Sequence, residues 1–511
     1  MEKEIKKEEI NEVEDKGRLV EIMKARTERI QEIEKLGFQA FPFSFKKKNN
    51  NSELQEKFKE LEKEKSSDFT AITAGRINGL RGMGQLSFID LMDETGKIQV
   101  LIQAASFNEK QNKLFSLLDV GDFIGVKGIV FRTKRGELSI KASKIDFLAK
   151  SIRPLPEKWH GLKDIEVRYR KRYLDMISNP TVKDVFRKRS LIIQEIRNYL
   201  NKKKFLEVET PLLQSIYGGG KAKPFKSHLN DLDMDVFLSI SPELYLKRLV
   251  VGGFERVYSI CKNFRNESVD RSHNPEFTML EFYSAYWDVN DVMKTTEKML
   301  EGIAIKINGT TKVDYLGQEV DFKAPWPRKR MVDLVKEITG IDVEHLSAEK
   351  IKIEIQEKKL KLEKDPNSMS YGLLIQELFE TFCEEKLIQP TFVIEHPQES
   401  TPLCKNLRKG TNKEKFIERV EPYCLGMEIG NGYSELNNPV KQKLLLEEQA
   451  RELRAGNEEA NPMDFDFIEA IETGLPPTGG MGIGVDRIVM ILTKSYSIRD
   501  IILFPFMKKI D

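Results

Sequence analysis

A chain of 511 residues, 40% of them apolar, is too long for a single core and is expected to divide into two or three domains. Its 83 Lys and Arg stand against 81 Asp and Glu, so a net charge of +2 excludes whole-molecule attraction to a polyanion and leaves only local patches such as 46–48, 168–172 and 202–204, whose plain reading is a solvated face. Cys261, Cys383, Cys404 and Cys424 form no CxxC pair, no run approaches the ~20 apolar residues of a membrane span, and no apolar leader core opens the chain, so a reduced, cytoplasmic protein without zinc knuckle or disulfides is expected.

Residues 1–16 are almost all Lys and Glu, too polar to bury a face, and are expected to form a frayed or disordered arm. From Arg18, the residues Leu19, Met23, Ile30, Ile33 and Leu36 recur at helical spacing up to a stop at Gly37. Ser52-Glu53-Leu54-Gln55 has a capping-box pattern and opens a second helix, with Leu54, Phe58 and Leu61 on one stripe. The texture then changes to short strands at 70–77, 86–92 and 97–103, a helical stretch at 109–118, and strands at 123–132 and 138–148. Three strands, a helix and two strands is the order of an OB-fold, a barrel that binds single-stranded nucleic acid by stacking bases on aromatic rings. Phe88 is the candidate stacking ring, with Gln99 and Glu137 as base-edge readers; the competing reading makes Phe88 ordinary barrel core.

Pro154 and Pro156 break regular structure before the basic run 168–173, giving an expected hinge over 151–181. A long amphipathic helix at 182–204 carries Val185, Phe186, Arg189, Ile192, Ile193, Ile196 and Leu200 on one side and runs into an extended segment ended by Pro211. Gly218-Gly219-Gly220 would let backbone approach a ligand, and a simple turn explains them equally well. Arms at 256–265 and 276–287 alternate as strands around the polar loop 266–275. Period-2 geometry puts Phe277, Met279, Glu281 and Tyr283 on one face and Thr278, Leu280, Phe282 and Ser284 on the other, so one face mixes rings with a carboxylate. Arg265, Glu267, Arg271 and His273 crowd the loop, which suits a polyanion because guanidinium binds phosphate oxygens in pairs.

Beyond this hairpin come a helix at 293–305, a small hairpin around Gly317, and a Lys/Glu-rich insert at 347–364 read as a surface helical excursion. Glu421, Glu428, Asn431, Tyr433 and Glu435 then fall in a stretch too polar and glycine-rich for a plain strand, and carboxylates so close together repel unless a cation sits among them. Near the end, Gly479-Gly480-Met481-Gly482-Ile483-Gly484 and Arg487 open a helix. Too few residues follow for a βαβ unit, so the run reads as glycine backbone packed under a nucleotide with Arg487 facing phosphate.

Phe264-Arg265-Asn266-Glu267, His273-Asn274-Pro275-Glu276-Phe277 and Glu281-Phe282-Tyr283 together resemble motif 2 of the class II lysyl-tRNA synthetases of the bacterial type. The helix and strand from Val182 to Pro211 resemble motif 1 and the glycine run with Arg487 resembles motif 3, so the likeness extends from about Thr73 to the C-terminus. It implies an α+β multidomain fold: an N-terminal charged arm and helices (1–66), an OB-fold anticodon-binding barrel (67–150), the hinge, and a class II catalytic domain (182–511) built on an antiparallel sheet flanked by helices, with a helical insert at about 340–388. It also implies the reaction, in which lysine and ATP give lysyl-adenylate and pyrophosphate before lysine passes to the 3′ end of tRNA-Lys, in a homodimer joined through motif 1.

By the same resemblance Arg265 meets the α-phosphate and the substrate carboxylate, His273 and Arg487 the outer phosphates, Phe277 and Glu267 the adenine, with Asn274 and Gly484 beside the nucleotide. Glu421 and Glu428 would hold Mg²⁺. Glu281 and Glu435 would pair with the lysine ε-ammonium, Glu243 with the α-ammonium, Tyr433 would cover the stem, and Tyr283, Asn431 and Gly219 would complete that pocket. Phe88, Gln99 and Glu137 would read the anticodon. Ser268, Gly220-Lys221 and Thr401-Pro402-Leu403-Cys404-Lys405 depart from the family's forms and bear on loop mobility more than on the reaction. Two other readings stand beside this one: a lysyltransferase that modifies an elongation factor, which has no anticodon barrel, and a non-catalytic RNA-binding scaffold.

Overall fold

Lysine and glutamate favour the helix even where nothing is buried, and the N-terminal stretch expected to be frayed is instead the first half of a 34-residue helix, α1 (Glu2–Lys35). The structure, a computed structural model, describes residues 2–82, 85–156, 162–410, 412–454 and 460–509, with side chains from 17 onward; part of the expected hinge, 157–161, lies outside them. The chain divides into two compact units, Met1–Gly161 and Leu162–Asp511.

In the first unit α1 is anchored at its C-terminal half, where Ile33 is fully buried and Arg26 and Arg29 reach the Ser151 carbonyl and Asp119. α2 (Asn51–Lys57) starts slightly earlier than its capping pattern suggested, because the Asn50 N–H donates to the Glu53 carboxylate. Strands β1 (Ser66–Arg81), β2 (Leu86–Met92) and β3 (Lys97–Gln103), helix α3 (Glu109–Ser116), and strands β4 (Phe123–Arg132) and β5 (Leu138–Ala149) close a barrel in the order β1-β2-β3-β5-β4, the expected OB-fold. Alternation turns Ile89, Leu91, Val100, Val126 and Ile140 into the barrel, each fully buried. Phe88 falls on the opposite phase, half-buried on the outer wall, so it is not barrel core.

The second unit opens with α4 (Ile165–Arg170), α5 (Arg172–Ser178) and α6 (Pro180–Lys202). Its basic run is no solvated face: Arg172 is buried, paired with Asp175 and donating to the carbonyls of Arg499 and Leu503, while Arg168 pairs with Asp175 and Arg170 with Glu166. There follow β6 (Leu206–Glu207), a small sheet of β7 (Leu213–Gln214), β8 (Lys226–Leu229) and β9 (Met234–Leu238), and helix α7 (Glu243–Val251). Next come β10 (Arg256–Phe264), β11 (Glu276–Ala285), α8 (Val289–Asn308), and the hairpin β12 (Lys312–Tyr315) and β13 (Gln318–Asp321), turning at Gly317 with φ 90°. β14 (Arg328–Arg330), α9 (Met331–Thr339), α10 (Ala348–Glu357) and α11 (Tyr371–Phe382) lead to β15 (Thr391–Pro397), β16 (Phe416–Cys424), β17 (Met427–Glu428) and β18 (Gly430–Ser434). α12 (Pro439–Arg454), α13 (Phe465–Gly474), β19 (Thr478–Gly484), α14 (Val485–Thr493) and α15 (Ile498–Ile501) complete the unit.

Its main sheet runs β14-β15-β16-β18-β19-β11-β10-β6, with β17 beside β16, antiparallel through the centre and parallel at both ends. The glycine run expected to open a helix is therefore the central strand β19, and α14 begins only after it. One sheet face carries Val420, Met481, Ile483, Leu280 and Phe282 into the core, where they meet Ile192, Ile196 and Leu200 of α6. The apolar stripe of α6 is thus filled from within its own chain, and the charged residue in it, Arg189, pairs with Asp486 at 2.6 Å and donates to the Thr278 hydroxyl. The insert forms the expected surface helix, α10, and Ile351 and Ile355 seat it in a cluster with Val335 of α9 and Leu378 of α11.

Phe282 is fully buried and meets Phe205 edge-on at 5.7 Å between ring centroids. Phe282→Ala is expected to lower the stability of the second unit by about 3–5 kcal/mol, measured as a shift in its urea unfolding transition.

Candidate active site

The face of the sheet opposite the core is laid out by strand register. Tyr283, Gly480 and Tyr433 form one rung across β11, β19 and β18; Glu281, Gly482 and Asn431 form the next; Met279 and Gly484 form the third. Because cross-strand partners share a face, the rungs place rings, a carboxylate and an amide around a floor of bare glycine backbone. Close packing requires that bareness: a Cβ on Gly480 would lie 2.3 Å from the Tyr283 ring and 2.5 Å from Glu435 Oε1. Gly219, at φ 84°, brings the glycine loop to the rim, where a Cβ would meet Glu243 Cβ at 2.9 Å.

A cavity of about 380 Å³ opens over this floor, lined by Gly219, Glu243, Arg265, Glu267, His273, Asn274, Phe277, Glu281, Tyr283, Glu428, Asn431, Tyr433, Gly484 and Arg487 among others. These residues, singled out from sequence, come from five separate stretches of chain and meet here. Glu421 and Glu435 do not reach the lining; each lies just behind it.

One part of the cavity is acidic and walled by buried side chains. Glu281 Oε1 accepts from Ser241 Oγ at 2.6 Å and its Oε2 from the Tyr283 hydroxyl at 3.0 Å. Burial, reinforced by Glu243, pushes the Glu281 carboxyl up to about 8. Burial pushes Glu435 up to about 8 as well, with Lys247 pulling the other way. Glu435 is wholly buried, and its Oε1 has no hydrogen-bond partner among the described residues. An enclosed carboxylate with a free oxygen is costly unless a cation arrives. Neither Lys247 nor Ser241 carried a signal in the sequence.

The remainder of the cavity is cationic. Arg265 stacks 5.2 Å from the Phe277 centroid, and its buried Nε has no hydrogen-bond partner among the described residues. Arg487 donates to the Glu428 carbonyl and lies 3.2 Å from His273 Nε2, while His273 Nδ1 is 2.8 Å from Asp270. Asn274 anchors the loop by donating to the Glu276 carbonyl at 2.6 Å, and Glu267 is exposed at the rim. Arg419, which no local pattern marked, ties Asn431 Oδ1 at 3.0 Å and Glu421 into one array, and Asn431 donates to the Tyr433 hydroxyl at 2.6 Å.

Two carboxylates bear on a metal. Partial desolvation, then Glu421 beside it, raises the carboxyl of the half-buried Glu428, and burial with Glu428 nearby pushes Glu384 up to about 7. Glu421 already accepts from Arg419 and from the Tyr423 hydroxyl at 2.9 Å, and among the described residues no three His, Cys, Asp or Glu side chains form a closed metal cage. One or two carboxylates completed by phosphate oxygens is how Mg²⁺ is usually bound, so Glu428 with Glu421 fits that ion and does not fit a resident structural metal.

In the first unit, Phe88 lies opposite Arg81 on β1, and Asp90 lies opposite Gln99 on β3. Gln99 donates to Glu137 at 3.1 Å and accepts from Ser139 at 3.0 Å, and Lys97 lies 3.2 Å from Glu137. Phe88, Gln99 and Glu137 therefore share one outer wall of the barrel, with the two polar side chains already joined.

Residues 164–508 match the family described as tRNA synthetases class II (D, K and N), and residues 71–148 match the OB-fold nucleic acid binding domain. The chain belongs to the class II tRNA synthetases. Within that family it is 47% identical to the lysine–tRNA ligase of Pelotomaculum thermopropionicum over 98% of this chain and 99% of that one. Identity to the lysine–tRNA ligases of Clostridium perfringens and Clostridium novyi is 46% and 45%, over 98% and 99% of this chain and 99% of each of theirs.

A short alkyl diamine, cationic throughout the range, is expected to bind this acidic pocket more tightly as pH rises from about 6.5 to 8.5, because carboxyls held near 8 must lose their protons to pair with it. Isothermal titration across that range, with proton release on binding, checks the sign; a constant affinity would contradict it.

Proposed function

We propose that this chain is a lysine–tRNA ligase that activates L-lysine with ATP and transfers it to tRNA-Lys. The observation that carries the reading is the division of one cavity: Arg265 with an unpartnered donor, and an acidic pocket lined by Glu243 and Glu281, behind which Glu435 keeps an unpartnered oxygen. A zwitterion with an extra cationic tail satisfies both. The lysine carboxylate attacks the α-phosphorus, the bond from that phosphorus to the pyrophosphate oxygen breaks, and pyrophosphate leaves; the ribose hydroxyl at the 3′ end of tRNA-Lys then takes the lysyl group and AMP departs.

Two anions meet in the first step, so positioned positive charge is the main requirement. Arg265 supplies it at the meeting point, His273 and Arg487 hold the outer phosphates, and adenine stacks on Phe277 with its amino group donating to Glu267. Mg²⁺ on Glu428 and Glu421 would neutralise triphosphate charge. Glu281 and Glu435 take the ε-ammonium, Glu243 the α-ammonium, and Tyr433 the aliphatic stem, with Tyr283, Asn431 and Gly219 around them.

Residues 67–150 are proposed to read the anticodon through Phe88, Gln99 and Glu137, with 182–511 as the catalytic domain. The barrel also separates this reading from the lysyltransferase that acts on an elongation factor. Edge strand β6, with Leu206 exposed, and the exposed Leu212 and Leu213 that follow the segment support a homodimer through 182–211. Among the described residues no helix is long and apolar enough to cross a membrane; a cytoplasmic location is proposed with the ligase reading.

Lysine-dependent exchange of pyrophosphate into ATP tests the whole reading, and a protein that gives none is no such enzyme. Arg265→Ala is expected to reduce that exchange by about 10²–10³ or more without altering the melting curve. Glu281→Gln should raise the KM for lysine by about tenfold or more while that for ATP stays put; parallel rises would place Glu281 elsewhere. Phe88→Ala should weaken charging of tRNA-Lys by about ten- to a hundredfold and leave exchange unchanged, since a lost base stack costs roughly 1–3 kcal/mol.

A further inference from the structure

Behind the acidic part of the cavity, Lys247 of α7 is 1% exposed, and its Nζ lies 2.6 Å from Glu243 Oε1 and 2.5 Å from Glu435 Oε2. The ring centroids of Tyr283 and Tyr433 stand 6.0 and 5.9 Å from the same atom. Lys247 does not line the cavity, and among the described residues Glu281 makes no ion pair, its oxygens taking only the Ser241 and Tyr283 hydroxyls. When ionised, the three acids and one ammonium leave an excess of two negative charges. Free lysine carries two ammonium groups, and its carboxylate is assigned to Arg265.

Resting on the lysine-ligase reading of this site, we propose that Lys247 is a positioning residue that sets the charge of the amino-acid pocket: it bridges Glu243 and Glu435 from behind and cancels one of three negative charges, so that the pocket is completed by two ammonium groups. The groups facing it are Glu243 on its own helix, Glu281 and Tyr283 on β11, Tyr433 on β18, Glu435 just beyond β18, and the thiol of Cys404, whose backbone bridges to Glu435. Burial works against the Lys247 charge, but Glu243 and Glu435 outweigh it and hold the ammonium above its ordinary range. Without that ammonium three buried carboxylates would share one space, each raising the others, and protons would compete with lysine for the same oxygens.

The test uses the full-length enzyme with Lys247→Met, Lys247→Gln and Lys247→Arg, followed by thermal melting and by pyrophosphate exchange from about pH 6.5 to about pH 9. Both neutral variants are expected to melt cooperatively and to raise the KM for lysine about thirtyfold or more near pH 7. The KM for ATP should stay within about twofold, and the excess in lysine KM should shrink as pH rises. Lys247→Arg, which keeps the charge, should restore the wild-type pH profile. The proposal is overturned by an unchanged lysine KM, by equal rises for lysine and ATP, by an excess that is the same at every pH, or by failure of both neutral variants to fold, which would make the ion pair structural. A wild-type protein with no lysine-dependent exchange would instead refute the ligase reading and take this proposal with it.

Discussion

Negative charge enclosed away from water is the condition around which the second unit is arranged. Glu243, Glu281 and Glu435 are all nearly or fully buried, and such carboxylates are unfavourable without compensation. The compensation mixes near and distant groups: an ammonium one helical turn along α7 that also reaches Glu435, a hydroxyl before that helix, and a phenol two residues along β11. It is also deliberately incomplete, since Glu435 keeps an unpartnered oxygen. Sheet register supports this arrangement, because rungs hydrogen-bonded across β11, β19 and β18 fix Glu281 and lead directly into Glu435.

The cationic residues are handled in the opposite way. Arg265 is steadied by the face of Phe277 and Arg487 by a backbone carbonyl, with the Glu428 carboxylate no closer than 3.9 Å, so neither charge is held in a tight pair. A guanidinium oriented by a ring or a carbonyl keeps its field for an incoming phosphate, whereas one held in a tight carboxylate pair does not. Arg419 shows the contrast. Locked to Glu421 and Asn431, it works as a strut between β16 and β18.

Legibility in the sequence followed the range of the signal. The alternation at 277–284 reports faces directly, and the structure keeps the two sets apart, Leu280 and Phe282 in the core and Glu281 and Tyr283 on the cavity. The barrel could be read from strand order for the same reason. What failed depended on partners far along the chain. Glu243 and Lys247 look like a surface pair one turn apart on a helix, and only Glu435 makes them a buried triad. Arg189 looks like a polar interruption of an apolar stripe until Asp486 reaches it. The Lys/Glu arm departs from expectation because composition speaks to burial and says little about helix formation, while the insert is the surface helix its composition suggests, seated in α10 by two isoleucines. The glycine run was misread because glycine disfavours strands in general, and nothing local shows that strands on both sides will hold it.

That run has an evolutionary corollary. A binding site floored by backbone alone can be reduced by substitution on the floor strand and never enlarged, because there is nothing left to remove. The positions are unequal. At Gly480 an added methyl would collide with Tyr283 and Glu435, while at Gly482 it would meet Glu281 Cγ at 3.5 Å and Glu281 Cδ and the Asn431 carbonyl at 3.8 Å, all ordinary contacts. Drift toward a shorter amino acid therefore has a single-step route through Gly482, whereas accommodating a bulkier one has to begin in the walls, at Tyr283, Tyr433 or α7, where every change also disturbs the balance of buried charge.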